Sequence, residues 1–284
     1  MAEIIEYIKL RSEDAIYCDC TVGGGGHLLA MLKATKTAKF IGIDWDPEAI
    51  AYAQEIIMPY EERCVLFEDN FVNLGLILDQ LDICGIDGLL FDLGVSYHQL
   101  TTPARGFSFE REGSLLMRMS SQVPSLFEKI RRATKEEIIK VLYEYGDVRH
   151  GRRVGIAIFE NKKSLSTTLD LRRLIEEITP KRFLKKNLHK IFQALRIWTN
   201  DELANIRMGI SGALSKLNNG GRILVISYHS GEDRIVKNIF RDAQHKGELK
   251  IINKKVLSPL ADEVKENPRA RSAKLRVGEK CAAF

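Results

Sequence analysis

No run of apolar residues in this chain approaches the ~20 needed to span a bilayer, so no membrane role is expected. The five cysteines (18, 20, 64, 84, 281) are odd in number and lack Cys-x-x-Cys spacing. That argues for reduced thiols and against a disulfide framework or a zinc site. The six histidines are scattered, with no His-Glu-x-x-His pair, so no metal is expected. The opening MAEIIEYIKL has early acids and no long apolar stretch, unlike a secretory signal; a cytoplasmic protein is expected. Internal repeats and low-complexity tracts are also lacking. What is present is ample core material. Of 284 residues, 45% are hydrophobic, enough for one large domain or one domain carrying an insertion. The net charge of +5 is modest, but KRFLKKNLHK (181–190) and NPRARSAKLR (267–276) concentrate it. Such clusters either neutralise phosphates or form a solvated face.

The stretch YCDCTVGGGGH (17–27) organises the rest. Apolar residues lead into Asp19, four glycines follow, and LLAMLKA reads as a helix. Glycine lets the backbone approach a ligand closely, and a helix N-terminus offers free N–H groups there. A tight turn without a ligand is the plainer reading. Buried strands are then expected at 38–44, 64–71, 86–95 and 221–230, alternating with helices. NNGG (218–221) reads as a stop and turn before the fifth strand. Two late strands, in LKIINKKV and SAKLRVGEK, suggest an antiparallel finish at the sheet edge. The pattern predicts an α/β fold of Rossmann type, a doubly wound and mostly parallel sheet. From about 100 to 187 buried strands disappear and helices take over. We expect a core of 1–99 and 188–284 with a helical insertion at 100–187.

In open α/β sheets ligands sit beyond the carboxyl ends of the strands. Asp19, Asp44 and Asp92 lie at such ends. Asp44 suits the ribose hydroxyls of an adenosine, with helix capping as the rival; Asp46 before Pro47 is better placed to cap. A ribose-binding acid fits NAD or S-adenosylmethionine. The turn lacks the G-x-G-x-x-G spacing used for a pyrophosphate, and the late strand pair suits a methyltransferase core.

Several stretches then carry a family resemblance: DCTVGGGGH, GIDWDPEAI, IDGLLFDLGVS with Gln99, RGFSF, MRM, FQALRI with NDEL, GGRILVIS, HS-EDRIVK and NPRARSAKLR. In this order they resemble the small-subunit rRNA cytosine-N4 methyltransferases (RsmH/MraW). The resemblance implies a class I methyltransferase that uses S-adenosyl-L-methionine on a cytosine in the decoding region of 16S rRNA. The substrate would be 16S rRNA or the small ribosomal subunit, gripped partly by the helical insertion. Matching positions place the cofactor against Gly25, Gly26, His27, Asp44, Phe71, Asp92 and Gln99. Phe71 would stack on adenine or serve as a core residue; His27 would touch the cofactor carboxylate or cap its helix. Asp92 is the candidate catalytic acceptor for the target amine. Arg118, Asn200, Glu202, His229 and Ser230 are candidates for base or phosphate contacts.

The chain departs from the family pattern at Leu28, at YHQLT after DLGVS, at Leu116, at NLHKIFQ and at Gly231. Most of these lie where the substrate should sit. A diverged RNA-binding paralogue, with a different substrate or little turnover, is therefore the second reading.

Overall fold

The computed structural model describes residues 1–11 and 14–282. The chain opens with α1 (Ala2–Ile8) and alternates through β1 (Ile16–Asp19), α2 (Gly26–Ala34), β2 (Lys39–Asp44), α3 (Pro47–Ile57), β3 (Cys64–Glu68), α4 (Leu74–Gln80) and β4 (Ile86–Asp92). A helical stretch follows: α5 (Tyr97–Thr101), α6 (Leu126–Arg132), α7 (Lys135–Glu144), α8 (Gly151–Asn161), α9 (Thr168–Ile178) and α10 (Lys181–Asn200). The alternation resumes with α11 (Glu202–Lys216), β5 (Leu217–Ser227), α12 (Ser230–His245), β6 (Leu249–Ile251), α13 (Ala261–Glu266) and β7 (Lys274–Lys280).

Two compact units emerge, one of residues 1–94 with 203–284 and one of 95–202. The expected insertion, 100–187, lies within the second of these units. The helical unit extends to 202 because α10 runs unbroken from Lys181 to Asn200. It ends where Asp201 enters the left-handed region, with φ 49°.

In the first unit the strands form one sheet in the order β3-β2-β1-β4-β5-β7-β6. Strands β1 to β5 pair in parallel, and β7 runs antiparallel between β5 and β6. The chain winds outward from β1 to β3, then crosses back to β4 on the other side of β1. Ligand clefts form at that reversal. Both faces of the sheet are covered. Leu89 and Phe91 face a core with α4, α11 and α12, while Leu90 faces one with α1, α2 and α3. Burial on both faces is why these strands read as continuous apolar runs.

Asn218–Gly221 is not a turn before the strand; it lies inside β5. Leu217 pairs with Ile86 and Arg222 with Gly88, so the extra residues of β5 bulge out. Gly220, at φ 75°, supplies the backbone that a bulge of this kind needs. The late strands are antiparallel, as the sequence suggested, but residues 252–273 with α13 separate them. Helix starts follow their signals. The Asp46 carboxylate accepts the Glu48 N–H at 3.1 Å, and the Thr134 hydroxyl accepts that of Glu137 at 3.2 Å. Among the described residues, no helix is long and apolar enough to cross a membrane.

Candidate active site

The glycine turn joins β1 to α2. Gly23 and Gly25 have φ of 50° and 72°, a region that costs other residues about 1–2 kcal/mol. A Cβ on Gly24 or Gly26 would meet nothing within 4 Å, so this backbone borders open space. Asp44 anchors the turn. Its Oδ2 accepts the Gly23 N–H at 2.8 Å and its Oδ1 that of Asp46 at 3.0 Å. Burial pushes its pKa up to about 6 against those hydrogen bonds. Asp46, and not Asp44, caps α3.

Asp19 ends β1 and is fully buried. Its Oδ1 accepts the Thr21 N–H at 3.1 Å, while its Oδ2 has no partner. Burial pushes its pKa up to about 7, opposed in part by His27. Buried carboxylate oxygens are normally paired, so this one marks a place for a donor.

Gly25 is the N-cap of α2 and offers no side-chain cap. His27 therefore does not cap its helix. Its Nε2 lies 3.4 Å from Asp92 Oδ2, and its Nδ1 is buried without a partner. Burial would lower the His27 pKa, but the hydrogen bond and attraction to Asp92 outweigh it and the pKa rises. The other Asp92 oxygen, Oδ1, accepts the Tyr228 hydroxyl at 2.9 Å. The Asp92 backbone N–H donates to Thr21 Oγ1 at 2.6 Å, fixing the end of β4 to the second residue after β1. Phe71 is half-buried, edge-on to Phe91 with ring centroids 5.5 Å apart, and a Cβ on Gly209 would collide with its ring.

The structure thus brings Asp19, His27, Asp92 and Tyr228 together, beside the glycine turn that Asp44 anchors. Tyr228 gave no signal in the sequence, since a tyrosine within an expected buried strand (221–230) reads as core. Asp19 was marked by position but had no role.

The remaining candidates divide between the units. His229 is the N-cap of α12; its Nδ1 accepts the Gly231 N–H at 3.1 Å. Ser230 begins that helix. Gln99, Arg118, Asn200 and Glu202 belong to the second unit. Gln99 forms a capping box with Ser96 on α5. Asn200 is buried, with Oδ1 accepting the Met119 N–H at 2.8 Å and Nδ2 donating to the Met117 carbonyl at 2.9 Å. It braces the loop carrying Arg118, where Met117 holds φ 50°. Glu202 is buried against Arg196 in a two-pronged ion pair of 2.8 and 2.9 Å.

The basic clusters are spent unequally. Lys181, Arg182, Lys185 and Lys186 are exposed. In the other cluster, Arg276 Nε lies 2.7 Å and Lys274 Nζ 3.5 Å from the Asp233 carboxylate.

A doubly wound sheet with a glycine turn after β1, an acid ending β2 and an antiparallel β7 beside β5 defines an S-adenosylmethionine-dependent methyltransferase core. The chain belongs to the MraW methylase family, whose model matches residues 1–281. It is 42% identical to the ribosomal RNA small subunit methyltransferase H of Persephonella marina, over 98% of this chain and 96% of that protein. It is 41% identical to the protein of the same name from Thermotoga neapolitana, covering 98% and 93%. A solved structure of a provisionally assigned rRNA methylase from Clostridium thermocellum shares the fold at TM-score 0.50 and 14% identity, covering 98% and 96%.

Proposed function

We infer that this protein is an S-adenosylmethionine-dependent rRNA methyltransferase acting on the exocyclic N4 amine of a cytosine in small-subunit rRNA. The observation that carries the chemistry is the Asp92 carboxylate, held at the end of β4 by His27 and Tyr228 beside the glycine turn.

The residues fit the cofactor. Asp44 has lone pairs for the ribose hydroxyls, and Phe71 offers a half-buried ring for adenine. Gly25 and Gly26 give close backbone approach. The unpartnered Asp19 Oδ2 suits a cationic donor such as the amino group of the methionine end, and His27 its carboxylate. Gln99 is a further cofactor-binding candidate. When bound, the cofactor supplies an electrophilic methyl group on its sulfonium.

The cytosine amine is a poor nucleophile because its lone pair is delocalised into the ring. Asp92 helps by accepting a hydrogen bond from the amine as positive charge develops there. Holding amine and methyl in near-attack geometry supplies the rest. The target base must leave its stack first, because its amine is unreachable within a helix.

For the RNA we assign the helical unit. Lys181, Arg182, Lys185 and Lys186 occupy the first turns of α10, where the helix dipole disfavours cations. Charges placed against the dipole do not serve the helix. They suit phosphates, and the Arg182 guanidinium also lies 4.6 Å over the exposed Phe183 ring. Folded RNA would be gripped this way by backbone and shape. The assembled small subunit in the bacterial cytoplasm is the expected setting.

The test is methyl transfer from labelled cofactor to small subunits from cells lacking this protein, with the modified nucleoside identified. Label on cytosine N4, reduced roughly a hundredfold or more by Asp92→Ala, is expected, the scale of losing one transition-state hydrogen bond. Cofactor binding without transfer would overturn this function and favour the RNA-binding paralogue.

A further inference from the structure

We propose that Tyr228 is a positioning residue for methyl transfer and acts through Asp92. The proposal rests on the reading of Asp92 as acceptor for the target amine.

Strand β5 is buried to its last residue, Ser227, and Tyr228 then leaves the sheet. The loop that carries it is fixed by the start of α12. One oxygen of the fully buried Glu232, Oε2, accepts the backbone N–H groups of Tyr228 at 2.8 Å and His229 at 3.2 Å. His229 closes the reciprocal half of this capping box through Nδ1. A Cβ there would sit 3.1 Å from the His229 ring, so Gly231 allows the close cap. The Tyr228 backbone is therefore set by buried polar contacts. Its ring lies beside the exit of β4, where Gly94 turns the chain at φ 100° and a Cβ would stand 3.7 Å from Tyr228 Cδ2.

From that position the phenol reaches Asp92 Oδ1 at 2.9 Å, while His27 stands at Oδ2. A carboxylate held at one oxygen can still rotate about its Cβ–Cγ bond. Held at both, its plane is set. Each carboxylate oxygen has a second lone-pair direction, and fixing the plane fixes where those directions point. Burial and the Asp92 charge keep the phenol protonated, raising its pKa above the ordinary value. Tyr228 is thus a permanent donor and takes no proton from the substrate. Its contribution is geometric, so it belongs in the turnover rate.

Tyr228→Phe removes the hydroxyl and keeps the ring. We expect kcat for RNA methylation to fall about tenfold or more, the scale of a hydrogen bond to a charged group. KM for RNA and for cofactor should stay within about twofold, because the altered interaction matters in the transition state. Cofactor must still raise the melting temperature of the variant, which shows that the pocket is folded. The same substitution made on Asp92→Asn should change kcat by less than about twofold, since coupled residues are not additive. An unchanged kcat in Tyr228→Phe, with Asp92→Asn impaired, overturns the proposal and leaves the Asp92 reading standing. A tenfold loss that persists on Asp92→Asn also overturns it, because Tyr228 would then act elsewhere. A fully active Asp92→Asn enzyme overturns the Asp92 reading and this proposal together.

Discussion

The glycine-turn end of the sheet unit and the helical unit bury polar groups in opposite ways. In the sheet unit, Asp19 Oδ2 and His27 Nδ1 are buried without partners, beside a glycine turn that borders open space. In the helical unit, Asn200 ties the loop at Met117 and Met119, Glu202 grips Arg196, and Thr168 Oγ1 both accepts from Gly113 and donates to Arg111. Buried polarity that satisfies itself holds a shape. Buried polarity left open is tolerable only where a ligand or water completes it. The contrast separates architecture from site without reference to any relative.

The sharpest test of this contrast is pH. Asp19 has a folded-state pKa raised to about 7, against about 4 in an unfolded chain. The folded state therefore binds its proton more tightly. The stability this gives is complete below about pH 4 and is lost as pH rises through about 7. Asp44, raised to about 6, acts in the same sense. His27, also raised, does so from its unfolded value upward. Away from the glycine turn the sign reverses in both units, as at Asp233 of the sheet unit, which Arg276 holds low against its burial. Glu128 is held below its usual pKa by the Ser125 hydroxyl, and Asp147 by Lys190; their small contributions are lost as pH falls. Urea unfolding of ligand-free protein should show stability falling from pH 4 to 7, and Asp19→Asn should remove about 3 kcal/mol of that fall. Cofactor stabilisation should grow with pH in the parent and not in the variant, because a cationic amino group prefers the ionised acid. An unchanged slope in Asp19→Asn would break the contrast at its centre.

The next test falls on the self-satisfied side. Asn200→Ala leaves the buried Met119 N–H without its acceptor and releases the strained Met117 backbone. We expect a loss of about 2 kcal/mol in stability and reduced activity on RNA. Cofactor affinity, measured by calorimetry, should stay within about threefold, since the open polar groups belong to the other unit. A cofactor affinity that collapsed with Asn200 would show that the units do not divide the labour this way.

Much of the sheet unit was legible because burial on both faces writes long apolar runs, and acids at their ends mark the cleft. Asp46 before Pro47 was legible as the cap of α3, and it is the cap. The Asn218–Gly221 run misled because its residues have turn chemistry, and only pairing with β4 reveals a bulge. Tyr228 was invisible for a related reason. Its meaning depends on β5 lying next to β4, which no local pattern encodes. In the helical unit the Thr134 cap was legible, being local. The Arg196–Glu202 pair was not, because it spans a helix break at Asp201. Leu28, which departs from the family pattern, is fully buried beside Met31 and Leu32. It is a core residue of α2, so that departure says nothing about the substrate.

The smallest expected effect concerns an exposed part of the helical unit, the start of α10. Replacing Lys181, Arg182, Lys185 and Lys186 together with Gln removes charges that the helix dipole disfavours, so thermal stability should hold or rise slightly. If these cations meet phosphates, KM for RNA should rise about tenfold, and the slope of log affinity against log salt should shrink by roughly 3, close to one unit per lost contact. The kcat at saturating RNA and the cofactor affinity should not move. Filter binding across a salt series measures the slope directly. A KM that rises with no change in slope would mean that these side chains position RNA by something other than charge, and the stacked Arg182–Phe183 pair would be the next residues to change. Lys190 provides the internal control. It already lies 2.9 Å from Asp147, so Lys190→Gln should leave the salt slope nearly unchanged while weakening the packing of α10 against α7.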